Sequence, residues 1–270
     1  MNEWIQALLL ALIQGVSEFL PVSSSAHLVL PSLLLGWPDQ GLAFDVAVHA
    51  GTLLAVLFYF RDDLWALASQ LIPGLHVSSV DEHEVWKLAL ATLPAVLIGL
   101  FFSSLIESHL RGLGVIATTT LLFGLLLAWA ARERVYTSPE VDEVVGWRDA
   151  LLIGLAQTLA LIPGTSRSGI TITAALLLGY HPGTAARFSF LMSIPVIAGA
   201  LLFMVLDESA FAPGGLTLAP TLAAAAIAFL SAWATIALFL RLIAAVGLMP
   251  FAIYRVLLAG TLFFMLFFRG

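Results

Sequence analysis

Apolar runs broken by short polar islands recur along the whole chain, and their lengths fall into two classes. Six long runs occupy residues 44–60, 86–106, 113–131, 184–206, 218–240 and 250–268. A helix needs about 20 predominantly apolar residues to cross the hydrocarbon core of a bilayer, so each long run predicts a transmembrane span. Arg61-Asp62-Asp63 stops the first span, and residues 64–85 read as a mixed polar loop with room for an interfacial helix. Residues 107–112 and 207–215 read as turns between spans. Segments of about ten residues with alternating polarity, as a β-barrel would need, do not occur.

The shorter runs flank two polar islands. Residues 4–13 and 28–35 lie on either side of polar residues 14–25, and Gly36-Trp37-Pro38-Asp39 closes the unit. Residues 151–178 repeat that pattern around Pro163-Gly164. Two short apolar pieces around a polar turn predict a re-entrant hairpin, since non-helical backbone at membrane depth must be buried in protein or line a wet cavity. A single kinked helix is the alternative for the first. Pro21 and Pro163 lie 163 − 21 = 142 positions apart. At that offset Phe19-Leu20-Pro21 falls over Leu161-Ile162-Pro163, Ser23-Ser24 over Thr165-Ser166, and Ser25 over Arg167. Each half is then one hairpin plus three spans. Three is odd, so the second half is inverted relative to the first, the plan of many transporters. The fold expected is an all-α integral membrane protein, with six transmembrane helices and two re-entrant helical hairpins in an inverted repeat. It forms one membrane domain, with repeats at about 1–131 and 150–270 joined by a charged loop at 132–149.

Composition removes the soluble classes. Of 270 residues, 61% are hydrophobic and 10% charged, and the mean hydropathy is +1.04. The chain has no basic patch suited to nucleic acid, and no cysteine for a disulfide, thiolate nucleophile or thiolate metal site. The first residues imitate a signal peptide, but Asn2 and Glu3 replace its basic start and Glu18 and Pro21 interrupt its apolar core. The basic loop residues set an orientation. Arg61, Lys87, Arg132, Arg134, Arg148 and Arg241 gather on one side, Arg111 and Arg269 on the other. The richer side is expected inside, which puts both termini and the mouth of the first hairpin outside, while the second hairpin opens from inside.

Candidate chemistry concentrates in the two islands. An ionisable group in a span costs about 2.5–3.5 kcal/mol on insertion scales, which makes it a functional candidate. Glu18, His27 and Arg167 are three such groups. Pro21 and Gly164 suit helix starts, and the hydroxyls after them suit N-capping. Two helix N-termini aimed at one point form an anion site, and Arg167 adds a guanidinium suited to phosphate. The hydroxyls of Ser23, Ser25, Thr165, Ser166 and Ser168 are candidate phosphate contacts. A carboxylate beside an anion needs a bridging cation, so Glu18, helped by Gln14 one helical turn earlier, is a candidate ligand for Mg²⁺ or Ca²⁺. Alternatively, Glu18 simply pairs with Arg167. Ser24 and His27, three apart, share a helical face and could form a nucleophile and base. Asp45, His49 and Arg187 rank second, as supports of the site or as mutual partners.

These two islands resemble the bacterial undecaprenyl-diphosphate phosphatase family, also called bacitracin-resistance proteins. Its first motif, [E/Q]-x-x-x-E followed by F-L-P-[VI]-S-S-[ST]-[GA]-H, reads here Gln14…Glu18-Phe19-Leu20-Pro21-Val22-Ser23-Ser24-Ser25-Ala26-His27. Its second, P-G-[ST]-S-R-S-G, reads Pro163-Gly164-Thr165-Ser166-Arg167-Ser168-Gly169. The resemblance implies a divalent-cation-dependent enzyme that removes the terminal phosphate of undecaprenyl diphosphate at the outer face of the plasma membrane. Its product is the lipid carrier for peptidoglycan. It further implies that Glu18 serves metal or diphosphate, Arg167 phosphate, and Ser24 or His27 nucleophile or base. Some members carry Glu where this chain has Gln14, so the expectation here is either a weaker metal affinity or a metal load shifted onto Glu18.

Three functional classes remain open on sequence: this phosphatase, a transporter or flippase of an anion or lipid phosphate, and a structural membrane subunit. Ser24, His27 and a water activated by His27 are the candidate attacking groups. The partners expected are the lipid substrate and membrane lipids, with a homodimer left open.

Overall fold

The computed structural model describes residues 3–37, 42–69, 71–72, 81–132, 144–206 and 218–269. All regular structure among them is helical. In chain order the helices are α1 (Glu3–Phe19), α2 (Ser24–Leu35), α3 (Leu42–Tyr59), α4 (Arg61–Ser69), α5 (Glu84–His109) and α6 (Leu113–Arg132). Then come α7 (Trp147–Gln157), a 3₁₀ turn (Thr158–Leu161), α8 (Arg167–Leu177), α9 (Pro182–Leu206), α10 (Leu218–Val246) and α11 (Met249–Arg269). The closing Pro38-Asp39, most of the charged linker with Arg134, and the 207–215 turn lie outside the described residues.

Six helices (α3, α5, α6, α9, α10 and α11) are long and apolar enough to cross a bilayer, and their outer faces carry exposed Leu, Phe and Trp side chains. The chain is a multi-pass membrane protein. The expected spans fall on these helices, with small shifts at their ends. α10 runs past Leu240 to Val246. Arg241 stays exposed, where a long side chain reaches out to the interface, while the buried stripe Ile236, Phe239, Ile243 continues inward. The interfacial helix is α4, which starts at Arg61 rather than after the Arg61-Asp62-Asp63 cluster, because acids favour a first helical turn.

The paired helices α1–α2 and α7–α8 are shorter. At 1.5 Å rise per residue, α2 and α8 reach only about 18 and 16 Å, well short of the ~30 Å hydrocarbon core. The first polar island is narrower than its composition suggests. α1 continues through Gln14 and Glu18 to Phe19, because Ser17 Oγ donates to Ile13 O at 2.6 Å and Gln14 bonds Glu18 one turn on. Only residues 20–23 form the turn.

Small residues let the helices approach closely, as in other helical membrane proteins. α10 buries Ala224, Ala228 and Ala232 at four-residue spacing, and α1 and α3 pack on it through Gly15 and Gly51. On the other side α7 packs on α5 with Gly154 against Ala91. The largest apolar cluster gathers Phe19, Phe60, Phe190 and Phe239, with Phe19 and Phe190 edge to face at 5.4 Å. Phe19 follows Glu18 directly, so this core is also the floor beneath the polar turns.

Candidate active site

The fold brings the two turns together. Gly164 N–H donates to Ser25 Oγ at 3.0 Å, and Ser168 Oγ donates to Leu20 O at 2.9 Å. Each turn thus gives a hydroxyl to the other's backbone. Ser23 and Ser166, the residues immediately before α2 and α8, share an uncommon positive φ of 74° and 70°. Within the described residues they are the two non-glycine positions that do so. Their neighbours correspond as well, since Ser23 Oγ lies 3.1 Å from Ser25 Oγ and Ser166 Oγ 3.4 Å from Ser168 Oγ. Ser24 therefore matches Arg167, and Ser25 matches Ser168. The offset of 142 fails by one after the turn because the second turn is one residue longer, at Gly164.

Gly164 has φ +90°, and a Cβ there would meet Thr119 Oγ1 and backbone atoms of Ile116. A side chain in such a conformation costs about 1–3 kcal/mol in backbone strain alone. Gly164→Ala is expected to lower the melting midpoint in detergent, followed by tryptophan fluorescence, and to displace the turn.

The helix-capping expectation holds on one side. Ser166 Oγ accepts from Gly169 N–H at 3.1 Å and caps α8. Ser23 makes no side-chain cap. Its hydroxyl turns to Ser25, and its carbonyl accepts from His27 Nδ1 at 2.7 Å.

Glu18 stands at the join. Arg167 Nη2 donates to its Oε1 at 3.1 Å, Gln14 Nε2 to its Oε2 at 3.0 Å, and Ser24 Oγ to Oε2 at 3.2 Å. The ion pair is largely buried, with side-chain exposures of 10% for Arg167 and 11% for Glu18. The Arg167 guanidinium also lies over the Phe19 ring, 5.7 Å from its centroid, and reaches Ser189 O at 3.5 Å. Glu18 and Arg167 do pair, as one reading of the sequence expected, and the pair draws in Gln14 and Ser24.

Gln14 links this group to His49. His49 Nδ1 donates to Asp45 O at 2.7 Å, since a carbonyl can only accept. Its Nε2 then accepts from Gln14 Nε2 at 3.2 Å. Both amide hydrogens of Gln14 are thereby used, and its Oε1 is buried without a partner. His49 belongs to the site. Arg187 does not, for it donates to Asp63 at 2.7 Å and to Glu84. The mutual pairing of Asp45 and Arg187 gives way because α4 and the start of α5 lie against the start of α9.

Ser24 and His27 share a helix, but their side chains turn to different partners. His27 donates from Nδ1 to Ser23 O, so Nε2 carries the lone pair, and that atom accepts from Tyr254 O–H at 2.7 Å. The acceptor beside Ser24 is Glu18. Ser25 and Ser168 are occupied in joining the turns, and the Thr165 hydroxyl is fully buried without a partner.

Pattern reading passes over two residues of α11. Tyr254 reads as an interface aromatic, yet it stacks nearly parallel on His27. Arg255 is fully buried and donates from Nη2 to Gly164 O at 2.9 Å. Its signal was available, because an arginine inside an apolar span is a functional candidate by the same rule as Glu18. Nothing in the sequence pairs Tyr254 with His27. Tyr254→Phe removes one hydrogen bond, worth about 0.5–1.5 kcal/mol, and is expected to lower the melting midpoint in detergent by a corresponding few degrees at most.

A join of two short helix pairs, with a buried carboxylate, a guanidinium and a serine hydroxyl at its centre, gathers the groups that binding an anion and transferring a group from it would need. Among known families, the model of the bacitracin resistance protein BacA matches residues 7–261, a stretch that contains both turns and Arg255. That match covers nearly the whole chain, and the chain belongs to this family, which is a phosphatase family.

Proposed function

We propose that the chain hydrolyses undecaprenyl diphosphate to undecaprenyl phosphate and inorganic phosphate, returning the lipid carrier to peptidoglycan synthesis and thereby conferring bacitracin resistance. The observation that carries this reading is the contact at Glu18, where a phosphate-type guanidinium and a candidate nucleophile meet on one carboxylate. Family membership supports it.

In this mechanism the polyprenyl tail lies among the spans and the diphosphate enters between the turns. Arg167 exchanges part of its contact with Glu18 for the terminal phosphate. Ser166 Oγ and the free N–H groups at the starts of α2 and α8 take further oxygens. Ser24 Oγ attacks the terminal phosphorus as its proton passes to Glu18 Oε2. The Oγ–P bond forms, and the bond from phosphorus to the bridging oxygen breaks. Undecaprenyl phosphate leaves with that electron pair. Water then attacks the phosphoserine, inorganic phosphate departs, and Ser24 recovers its proton from Glu18. His27, held by Tyr254, fixes the carbonyl of Ser23 and so aims Ser24. Arg167 and the helix ends stabilise the charge that spreads over the equatorial oxygens.

The residues present fit a divalent cation that arrives with the diphosphate. Gln14 Oε1 is a buried acceptor without a partner, one turn from Glu18. Among the described residues no cluster of three acidic or histidine side chains would hold an ion alone. Gln14 and Glu18 would therefore share Mg²⁺ or Ca²⁺ with substrate oxygens, and the ion would supply neutralisation of phosphate charge.

The re-entrant, inverted plan draws support from packing. α1 packs on α10 as α7 packs on α5, and both turns carry the same positive-φ serine. The excess of arginine and lysine argues for an inside location of that face, and Arg187, Asp63 and Glu84 gather the starts of α9, α4 and α5 on it. Lys87 lies over Trp147, adding the start of α7. The first hairpin's mouth then opens to the periplasmic side.

The same half-helix plan also suits a transporter. Reconstitution into liposomes separates the two. Phosphate release by wild type that disappears in Ser24→Ala supports hydrolysis through a phosphoserine. Movement of anion or lipid phosphate across the bilayer without phosphate release would assign transport instead.

A further inference from the structure

We propose that Arg255 is a positioning residue of the site, which holds the Pro163-Gly164 turn from behind and places a second buried positive charge beneath the bound diphosphate. This deepens the phosphatase reading and rests on it.

Arg255 is fully buried in a membrane protein. Its Nε donates to Thr120 O at 3.3 Å and its Nη2 to Gly164 O at 2.9 Å. Thr119 Oγ1 donates to Pro163 O at 2.6 Å and Thr120 Oγ1 to Gly164 O at 3.2 Å. The Pro163 and Gly164 carbonyls of the turn are thus held by α6 and α11. The third nitrogen, Nη1, has no hydrogen-bond partner. It lies against the first turn of α8, where a Cβ built on Gly169 would stand 2.6 Å from it. That contact is a reason for glycine at position 169, independent of backbone conformation.

Charge separates function from scaffolding here. Two carbonyls satisfy hydrogen bonds but do not neutralise a guanidinium, and an unpaired buried charge is costly. The described ion pairs give Arg255 no carboxylate. A helix N-terminus favours an anion nearby, not a cation, yet Arg255 and Arg167 both sit at the start of α8. Glu18 is the carboxylate that pairs with Arg167. The join therefore carries an excess of positive charge, which a phosphate group would balance.

The test uses the full-length protein in detergent, with Arg255→Gln, Arg255→Lys and Gly169→Ala. The readouts are kcat, KM, the inhibition constant of inorganic pyrophosphate, and the rise in melting temperature that pyrophosphate produces. Removal of one buried positive charge beneath the anion is worth about tenfold or more in anion affinity. Arg255→Gln is expected to raise KM and the pyrophosphate inhibition constant by that factor and to abolish the melting shift. Arg255→Lys keeps the charge but loses the two-pronged hold, so both constants should stay within about threefold of wild type while kcat falls. Gly169→Ala should resemble the Lys variant. Lower melting temperature with KM and pyrophosphate inhibition unchanged in every variant would overturn the proposal, as would failure of all three to fold. Should wild type release no phosphate from the lipid, the phosphatase reading falls, while the pyrophosphate melting shift still decides for or against Arg255.

Discussion

Arg167→Ala is expected to lower kcat/KM for phosphate release by about 10²–10³-fold, the usual effect of removing one donor aimed at transition-state charge. The side chain is nearly buried and is held on three sides, by Glu18 Oε1, by Ser189 O and by the face of Phe19. This holds the guanidinium at the join before substrate arrives, so that only part of its contact with Glu18 is exchanged for phosphate. Arg167→Lys keeps the charge but loses the planar fork, so it should recover only part of the rate. Phosphate release under saturating and limiting lipid would show the loss mainly in kcat. A loss confined to KM would mean that Arg167 binds ground state and transition state alike.

Glu18→Gln should produce a loss of comparable size, about 10²–10⁴-fold in kcat if Glu18 takes the proton of Ser24. The amide is the same shape, and the position already accepts from Gln14, Ser24 and Arg167. It leaves Arg167 buried without a counter-charge, however, and breaking a buried pair costs about 3–5 kcal/mol. Stability and catalysis must therefore be separated. The double variant Glu18→Gln with Arg167→Met removes both charges, so its melting midpoint should recover toward wild type while activity stays lost. Recovery of activity with recovery of stability would show that the pair is only structural.

Much of the scaffold was legible because bilayer length and hydropathy constrain spans directly. All six long runs fell on helices, and errors stayed at ends such as Val246, where one exposed arginine did not stop a helix with a continuing buried stripe. The two polar islands were legible as chemistry, since ionisable residues stand out against an apolar background. Partner choice was not. Ser24 and His27 share a helical face, but the hydroxyl rotated toward Glu18 and the ring toward Tyr254, a contact across more than two hundred residues that no spacing encodes. Ser25 and Ser168, expected as phosphate contacts, also knit the turns together, because a tight join between two non-helical segments leaves backbone groups that hydroxyls must satisfy. Arg255 was hidden by the hydrophobicity of its own span, although its charge was in plain view.

The most direct measurement is release of inorganic phosphate from undecaprenyl diphosphate by the purified protein, with Mg²⁺, with Ca²⁺ and with chelator, beside Arg167→Ala of matched melting behaviour. The account predicts release by wild type that needs a divalent cation and nearly vanishes in the variant. Well-folded wild-type protein that releases no phosphate with either cation, or an Arg167→Ala protein as active as wild type, would contradict it.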